Sequence, residues 1–219
     1  MTRVYFDNAA TTPVDPQVVE AMIPFLQTHF GNPSSIYSFG RETRLAIENA
    51  RKSVAQLLGA KPGEIFFTSG GTESDNMAIW SAIEDLGCRH LITSPIEHHA
   101  VLHTVNALAK QRQLTSELLR VLPNGHIDLA DLERALATSS VRCFVSLMHA
   151  NNEIGNLLDI DAVGALCEKY NAIFHSDTVQ TVGHYPLNFS QANFKKPSSL
   201  SLYLARSLSS LLILLGSCL

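Results

Sequence analysis

Residues 142–148 read RCFVSLM and residues 172–176 read AIFHS, and both runs are apolar along most of their length. Strands of this kind need cover on both faces and a neighbour on each side, as in a parallel sheet. Further short apolar runs lie at residues 64–68, 90–94 and 117–122, separated by amphipathic segments of helix length. This alternation predicts βαβ units, and therefore an α/β fold with a mainly parallel sheet flanked by helices.

Capping residues predict where the helices begin and end. Asp15 followed by Pro16 is typical of an N-cap and a first helical turn, and Asp128 predicts the start of a later helix. A helix over about residues 43–58 would end at Gly59. The first helix places Val19, Met22, Ile23 and Leu26 on one side, and the second is expected to bury Leu45, Ile47, Val54, Leu57 and Leu58.

The composition bounds the class of protein. With 219 residues, of which 46% are hydrophobic and 16% charged, the chain can bury a sizeable core and is not disordered. A formal charge of −4 offers no general basic field, so we expect no nucleic-acid partner. The four cysteines lie far apart without a CxxC pair, and the polar start has no signal-peptide pattern. These features predict reduced thiols and a cytoplasmic protein.

Residues 195–219 differ in composition from the rest of the chain. Nine leucines and seven serines occupy 16 of these 25 positions, with neither helical nor alternating periodicity. Arg206 and five serines interrupt the apolar end, so no membrane span is expected. The composition favours an out-of-frame translation or a broken gene end over a natural tail.

Residues 68–73, TSGGTE, indicate an anion-binding turn at the start of a helix. Gly70 and Gly71 let the backbone approach a phosphate, and the amides and dipole of a helix N-terminus attract it. The hydroxyls of Ser69 or Thr72 are available to help. A plain turn into a helix with a Thr cap is the alternative, and the absence of a following lysine excludes a Walker loop.

Polar side chains follow two other predicted strands. Asp177 and Gln180 come after residues 172–176, at the edge where α/β sheets bind ligands. A buried carboxylate needs a cationic partner, so Asp177 could hold a protonated ring nitrogen, or it could simply cap a helix. Residues 148–155, MHANNEIG, follow the strand at residues 142–148, and Asn pairs after strands are usually turn formers.

Three histidines lie close together in the sequence. His99 and His103 are spaced to share a helix face, but the residues between them do not form the HExxH pattern of zinc enzymes. We therefore expect a solvated helix face and no metal site. The imidazole of His98 remains a candidate for stacking on a planar cofactor.

Six motifs, in their order along residues 4 to about 194, resemble those of the cysteine desulfurases. These are pyridoxal-phosphate enzymes of the class-V aminotransferase group. The motifs are DNAATTP at 7–13, GNPSS at 31–35, TSGGTES at 68–74, EH at 97–98, NNEIG at 151–155 and HSDTVQ at 175–180.

The resemblance implies a site for pyridoxal 5'-phosphate in the large domain of a fold-type I transferase, incomplete at its C-terminus. Its cofactor-binding residues would be Gly71, Thr72, His98, Asn152, Asp177 and Gln180. By this resemblance Gly71 and Thr72 bind the phosphate, while His98 stacks on the ring and serves in catalysis. Asp177 pairs with the ring nitrogen, and Asn152 and Gln180 hydrogen-bond on the side of the ring hydroxyl.

The resemblance also implies a reaction and partners. The family converts L-cysteine to L-alanine and passes the sulfur, as an enzyme persulfide, to an acceptor or scaffold protein of iron–sulfur cluster assembly. A homodimer is implied as well. The chain would divide into an N-terminal arm at 1–15, a partial cofactor-binding domain at 16–194 and the unusual tail at 195–219.

The sequence departs from the family at the two nucleophiles. The family's Schiff-base lysine lies in a Ser-x-His-Lys stretch, which does not occur here, and Lys195 and Lys196 come too early to replace it. The persulfide cysteine belongs to the family's C-terminal half, and Cys218 is not assigned that role. Tyr37 also stands where many members have histidine. We expect a truncated chain that is inactive alone, with a selenocysteine lyase or a non-catalytic dimer partner of the same fold as alternatives.

Overall fold

The computed structural model describes residues 3–187. The tail predicted at 195–219, with Lys195, Lys196 and Cys218, lies outside these residues. The elements are α1 (Pro16–Gln27), α2 (Ser38–Leu58), a short 3-10 helix (Pro62–Glu64), α3 (Gly71–Glu84), β1 (His90–Thr93), α4 (His99–Arg112), β2 (Thr115–Leu118), α5 (Leu129–Thr138), β3 (Cys143–Ser146), α6 (Ile160–Lys169) and β4 (Ile173–His175).

The four strands form one parallel sheet in the order β2–β1–β3–β4. Helices α4, α5 and α6 each lie between consecutive strands in the sequence, which confirms the predicted α/β fold. The chain runs from β1 outward to β2 and then returns past β1 to β3, so the strand order reverses between β1 and β3. Open α/β sheets bind ligands at the carboxyl edge beside such a reversal.

Apolar clusters cover both faces of the sheet. Neighbouring residues on a strand point to opposite faces, and here they join different clusters. Leu91, Phe144 and Ile173 belong to the cluster that includes α3 and α4, and Ile92, Val145 and Phe174 belong to the cluster that includes α5 and α6. The continuous apolar runs noted in the sequence are therefore explained by burial on two sides.

The predicted caps of three helices are confirmed. The Asp15 side chain accepts from the Gln17 backbone N–H at 2.8 Å, and Asp128 accepts from the N–H of Ala130 at 3.0 Å. Gly59 ends α2 with a φ of 66°, in the left-handed region that favours glycine.

The strand predicted at residues 64–68 is not among the described elements, where Phe66 alone is a β-bridge residue. Pro62 and Gly63 instead open the short 3-10 helix, and the Glu64 carboxylate accepts from the Lys61 backbone N–H at 2.7 Å. Ile65 is buried, but Phe66 is 43% exposed. The strand predicted at 117–122 begins earlier, at Thr115, and is mostly exposed because β2 lies at the edge of the sheet.

The outer helices expose more apolar surface than their pattern predicts. No residue of α1 is buried within the described part of the chain, so its apolar side lies open. In α2, Leu58 is buried as predicted, but Leu45 and Leu57 are 61% and 79% exposed. The prediction for these two leucines is wrong: the buried residues of α2 are Gly40, Ala55 and Leu58, of which the last two pack against Ile65, and the parts of the helix that carry Leu45 and Leu57 are left open.

No helix in residues 3–187 combines the length and the apolar character that crossing a membrane requires.

Candidate functional site

The candidate site lies at the carboxyl edge of the sheet, beside the reversal between β1 and β3. The loop after β1 carries Glu97 and His98, and the loop after β4 carries Asp177. Helix α3 packs against α4 and begins at Gly71, so its first turn belongs to the predicted anion-binding turn at residues 68–73. The charge of Asp75, in the second turn of α3, influences the carboxyl groups of both Glu97 and Asp177. The three segments therefore meet within electrostatic reach of one another.

The N-terminus of α3 is open to an anion. Its N-cap residue is Gly70, which provides no side-chain cap, and a Cβ placed there would meet no atom within 4 Å. Thr72, in the first turn, is exposed. The positive end of the helix dipole therefore has room for a negatively charged ligand.

Ser69 and Glu73 form a local pair beside this turn. The Ser69 hydroxyl and its backbone N–H both donate to Glu73 Oε2 at 2.6 Å, which lowers the pKa of Glu73 below its ordinary value. The Ser69 hydroxyl is thus engaged with a carboxylate, whereas the exposed hydroxyl of Thr72 stays in the first turn of the helix. Of the two hydroxyls that the sequence offered, Thr72 is the better placed.

His98 is the N-cap of α4. Its Nδ1 accepts from the Ala100 backbone N–H at 3.1 Å, while the side chain is otherwise exposed. Because Nδ1 is an acceptor here, a neutral imidazole carries its proton on Nε2. The cap fixes the tautomer and the direction of the ring. His99 and His103 lie further along α4 with ring centroids 5.2 Å apart.

Asp177 is buried directly after β4. The Val179 backbone N–H donates to its Oδ1 at 2.9 Å, and only 5% of the residue is exposed. Burial, together with the nearby charge of Asp75, raises the pKa of Asp177 to about 7. A cationic ligand at this carboxyl would offset both effects and favour the ionised form.

Two of the predicted polar residues have other contacts. Gln180 Nε2 donates to the carbonyl of Ala9 at 3.2 Å, which joins the DNAATTP segment to the loop after β4. Asn152 is exposed and donates to Glu153 Oε1 at 2.8 Å. Its neighbour Asn151 is buried, and its Nδ2 donates to the Ile96 carbonyl at 2.7 Å. The second asparagine of the pair is therefore open to a ligand, and the first holds two loops together.

Sequence reasoning missed a set of buried polar residues beneath the site. Asp75 is 1% exposed, and its Oδ1 lies 3.5 Å from Nε2 of the buried His175. His175 Nδ1 is hydrogen-bonded to Ser146 Oγ at 2.7 Å. Glu97 is also buried. Glu97 and His175 stand in the motifs at 97–98 and 175–180, but nothing in the sequence showed that they are buried or that His175 lies beside Asp75.

Within residues 3–187, no group of three or more His, Cys, Asp or Glu side chains is arranged to hold a metal ion.

Comparison with known proteins identifies relatives along most of the chain. The aminotransferase class-V family profile matches residues 4–194. A cysteine desulfurase IscS of Dictyoglomus turgidum is 50% identical over 190 residues, covering 85% of this chain and 47% of that protein. A putative cysteine desulfurase IscS 1 of Bacillus subtilis is 45% identical over 191 residues, covering 86% and 49%. The chain spans about half the length of the curated relatives it matches.

Solved structures show the same fold. A NifS-like protein matches 99% of this chain and 60% of its own, with a TM-score of 0.89 and 34% identity. SspA in complex with cysteine matches 95% of this chain and 60% of its own, with a TM-score of 0.83 and 31% identity. The described sheet and its helices therefore have the architecture of these longer proteins.

Proposed function

Because the chain belongs to the aminotransferase class-V family, we propose that it is the cofactor-binding part of a cysteine desulfurase that uses pyridoxal 5'-phosphate. The observation that carries this proposal is the buried carboxyl of Asp177, which is influenced by the charge of Asp75 in the second turn of α3, the helix whose N-terminus is open. A ligand with a cationic ring and an anionic phosphate matches these two features.

The start of α3 suits the phosphate. Gly71 and Thr72 form the first turn, where backbone N–H groups have no intrahelical acceptor. An anion accepts from these groups and interacts favourably with the helix dipole. The Thr72 hydroxyl adds one further donor. A side chain at Gly70 would occupy the open space in front of this turn.

Asp177 suits the ring nitrogen. Its carboxylate, once ionised, accepts a proton-bearing nitrogen and compensates the positive charge, and the bond to Val179 holds its orientation. When bound, pyridoxal phosphate supplies an electron sink for the reacting carbon of an amino acid. The protein's part here is to keep the charge of Asp177 facing the ring and away from water.

His98, Asn152 and Gln180 complete the proposed contacts. His98 presents an imidazole that is fixed by its capping bond and can stack on a ring, with Nε2 left to hold or move a proton. Asn152 and Gln180 carry amide donors on the loops after β3 and β4, on the side proposed for the ring hydroxyl. Gln180 would have to share or exchange its bond to Ala9.

The substrate, the partners, the cellular location, the oligomeric state and the domain division belong to the same proposal. The substrate is L-cysteine, and the sulfur goes to an acceptor or scaffold protein of iron–sulfur cluster assembly. Relatives named cysteine desulfurase, and the cysteine complex of SspA, favour cysteine over selenocysteine. We include in the proposal a cytoplasmic homodimer and the division into residues 1–15, 16–194 and 195–219.

Calorimetric titration of pyridoxal 5'-phosphate into the full chain tests the proposal. We expect weak, saturable binding that Asp177→Asn reduces by roughly tenfold or more, because a hydrogen bond to a charged group contributes about 1.5–3 kcal/mol. Asp85→Asn is the matched control, since Asp85 is exposed at the opposite end of α3. Equal binding by all three proteins, or no binding at all, would contradict the proposal.

A further inference from the structure

His175 is a buried histidine at the end of β4. Its ring stacks on Phe144, with the ring centroids 5.8 Å apart. Its Nδ1 is hydrogen-bonded at 2.7 Å to Oγ of Ser146, the residue opposite it on β3. When the Ser146 hydroxyl donates this bond, a neutral imidazole carries its proton on Nε2. That nitrogen lies 3.5 Å from Oδ1 of Asp75 on α3, so His175 connects two strands of the sheet to this helix.

Asp75 brings a carboxyl group into the interior beside this ring. Its Oδ1 is fully buried and accepts no hydrogen bond from any group of residues 3–187. A buried carboxylate is costly unless a cationic or proton-bearing group faces it. A separation of 3.5 Å is longer than a typical hydrogen bond but lies within ion-pair range. In the described part of the chain, the ion-pair contact of Asp75 is with His175, so the imidazole is the group that offsets the burial of this oxygen.

The contact between His175 and Asp75 lies between the two ends of the proposed cofactor site. Asp75 follows Thr72 by three residues in α3, which is about 4.5 Å along the helix axis. Asp177 follows His175 by two residues, which is at most about 7 Å along the chain. Each side of the contact is therefore followed or preceded, within one helical turn or two residues, by a proposed ligand-binding residue. A shift of α3 along the sheet would change the distance from its first turn to Asp177.

This distance matters for a ligand that binds at both ends. In pyridoxal 5'-phosphate the ring nitrogen and the phosphate are joined by a rigid ring and one short arm. The two ends strengthen each other's binding only when both can be reached at once, and this gain is lost when the geometry forbids it. A ligand that carries only the ring, or only the phosphate, does not depend on the separation. The two kinds of ligand therefore distinguish a change in spacing from damage to either end.

We propose that His175 is a positioning residue. By contacting Asp75 on α3 and Ser146 on β3, it holds the first turn of α3 at the distance from Asp177 that one ligand needs in order to reach both. The consequence for cofactor binding rests on the proposed function, whereas the attachment of α3 to the sheet does not. His175 acts through its neighbours, and we assign it no contact with the substrate.

The test compares three probes by NMR titration of the full chain: pyridoxine 5'-phosphate, pyridoxine and inorganic phosphate. The first spans both ends and the others occupy one each, and none has an aldehyde that could react with lysines. His175→Asn, which is too short to reach Asp75, should weaken binding of pyridoxine 5'-phosphate by roughly tenfold or more. The affinities for the other two probes should stay within about twofold, because each end remains intact. His175→Gln, whose amide can reach Asp75, should restore most of the loss.

His90 provides the matched control. It is also a buried histidine, with Nδ1 hydrogen-bonded to Ser139 Oγ at 3.1 Å and Nε2 lying 3.4 Å from Glu117 Oε2. However, His90 begins β1, whereas His175 ends β4, so the two lie at opposite edges of the parallel sheet. His90→Asn removes the same kinds of contact and should leave the affinities for all three probes unchanged.

Amide hydrogen exchange without any ligand tests the attachment of α3 by itself. In His175→Asn, the amides of residues 75–78 should exchange severalfold faster, while those of residues 132–136 in α5 keep their rates. If His175→Asn fails to fold, Ser146→Ala, which removes the bond that orients the ring, must produce the same selective changes.

The outcomes separate the two proposals. If the unaltered chain binds none of the probes, the proposed function is refuted, and the exchange rates still decide the role of His175. Unchanged exchange in α3 overturns the positioning role whether or not a probe binds. So does an unchanged affinity of His175→Asn for pyridoxine 5'-phosphate where the unaltered chain binds it. An equal loss for all three probes also overturns it, because such a loss indicates general damage to the site.

Discussion

Replacing Asp177 by Asn should stabilise the cofactor-free chain at neutral and alkaline pH while weakening its affinity for pyridoxal phosphate. The Asp177 carboxyl is buried, and its pKa is raised from 3.8 to about 7 by burial and by Asp75. An unfolded chain returns this group to its ordinary pKa of about 3.9. Ionisation of Asp177 therefore opposes folding.

The magnitude follows from the two pKa values. A pKa difference of about 3, at 1.36 kcal/mol for each pKa unit, lowers the free energy of unfolding by roughly 4 kcal/mol when Asp177 is ionised. The charge of Asp75 contributes part of this loss. Asp177 has a higher pKa in the folded chain than in the unfolded chain. The unaltered chain is therefore not destabilised by this group below about pH 4, and it loses stability as the pH rises to about 7. Asn has no proton to lose, and its amide oxygen can still accept from Val179.

Urea unfolding followed by circular dichroism, at several values between about pH 5 and pH 8.5, measures this effect. The free energy of unfolding of Asp177→Asn, minus that of the unaltered chain, should increase with pH and level off above about pH 7. Asp85→Asn should show no such slope. A difference that is independent of pH, or that grows toward acid, would refute the reasoning.

Three further outcomes test the fold and the site. Leu132→Ala, at a fully buried position of α5, should lower the free energy of unfolding by about 2–5 kcal/mol, whereas Leu57→Ala, 79% exposed on α2, should change it by less than about 0.5 kcal/mol in the same urea assay. Asp159→Ala should cost about 1 kcal/mol by removing the cap that accepts from Ala162, and Asp159→Ser should restore most of it; equal loss in both variants would argue against a capping role. Borohydride treatment with pyridoxal phosphate, followed by peptide mass spectrometry, should leave no stoichiometric adduct on a specific lysine, because the sequence lacks a Ser-x-His-Lys stretch; such an adduct at Lys195 or Lys196 would contradict this.

Local features of the sequence were sufficient for the fold class and for the helix ends. The apolar runs at residues 142–148 and 172–176 predicted a parallel sheet covered on both faces, and the structure contains β3 and β4 there. Asp15 and Asp128 marked their helices because a cap acts on backbone groups two or three residues away. Interactions of such short range can be predicted from the local sequence alone.

Exposure was predicted less well. Leu57 and Leu58 have similar side chains and adjacent positions, yet one is exposed and the other buried. The helical pattern identifies the apolar side of α2, but which part of that side is covered depends on the elements that pack against it. Of the residues predicted as a strand at 64–68, Glu64 belongs to the 3-10 helix that Pro62 opens, and Phe66 is a single β-bridge residue.

By itself, the sequence determined the three strands at residues 90–94, 142–148 and 172–176, the caps and the order of the motifs, because these depend on neighbours within a few residues. Only the tertiary structure decided that the strand order reverses between β1 and β3, and that Asp75, Glu97 and Asp177 are buried near one another. A carboxyl group acquires a raised pKa from burial and from charges contributed by distant parts of the chain. Those conditions arise from packing, so the acidic environment of the site could not be predicted from any single motif.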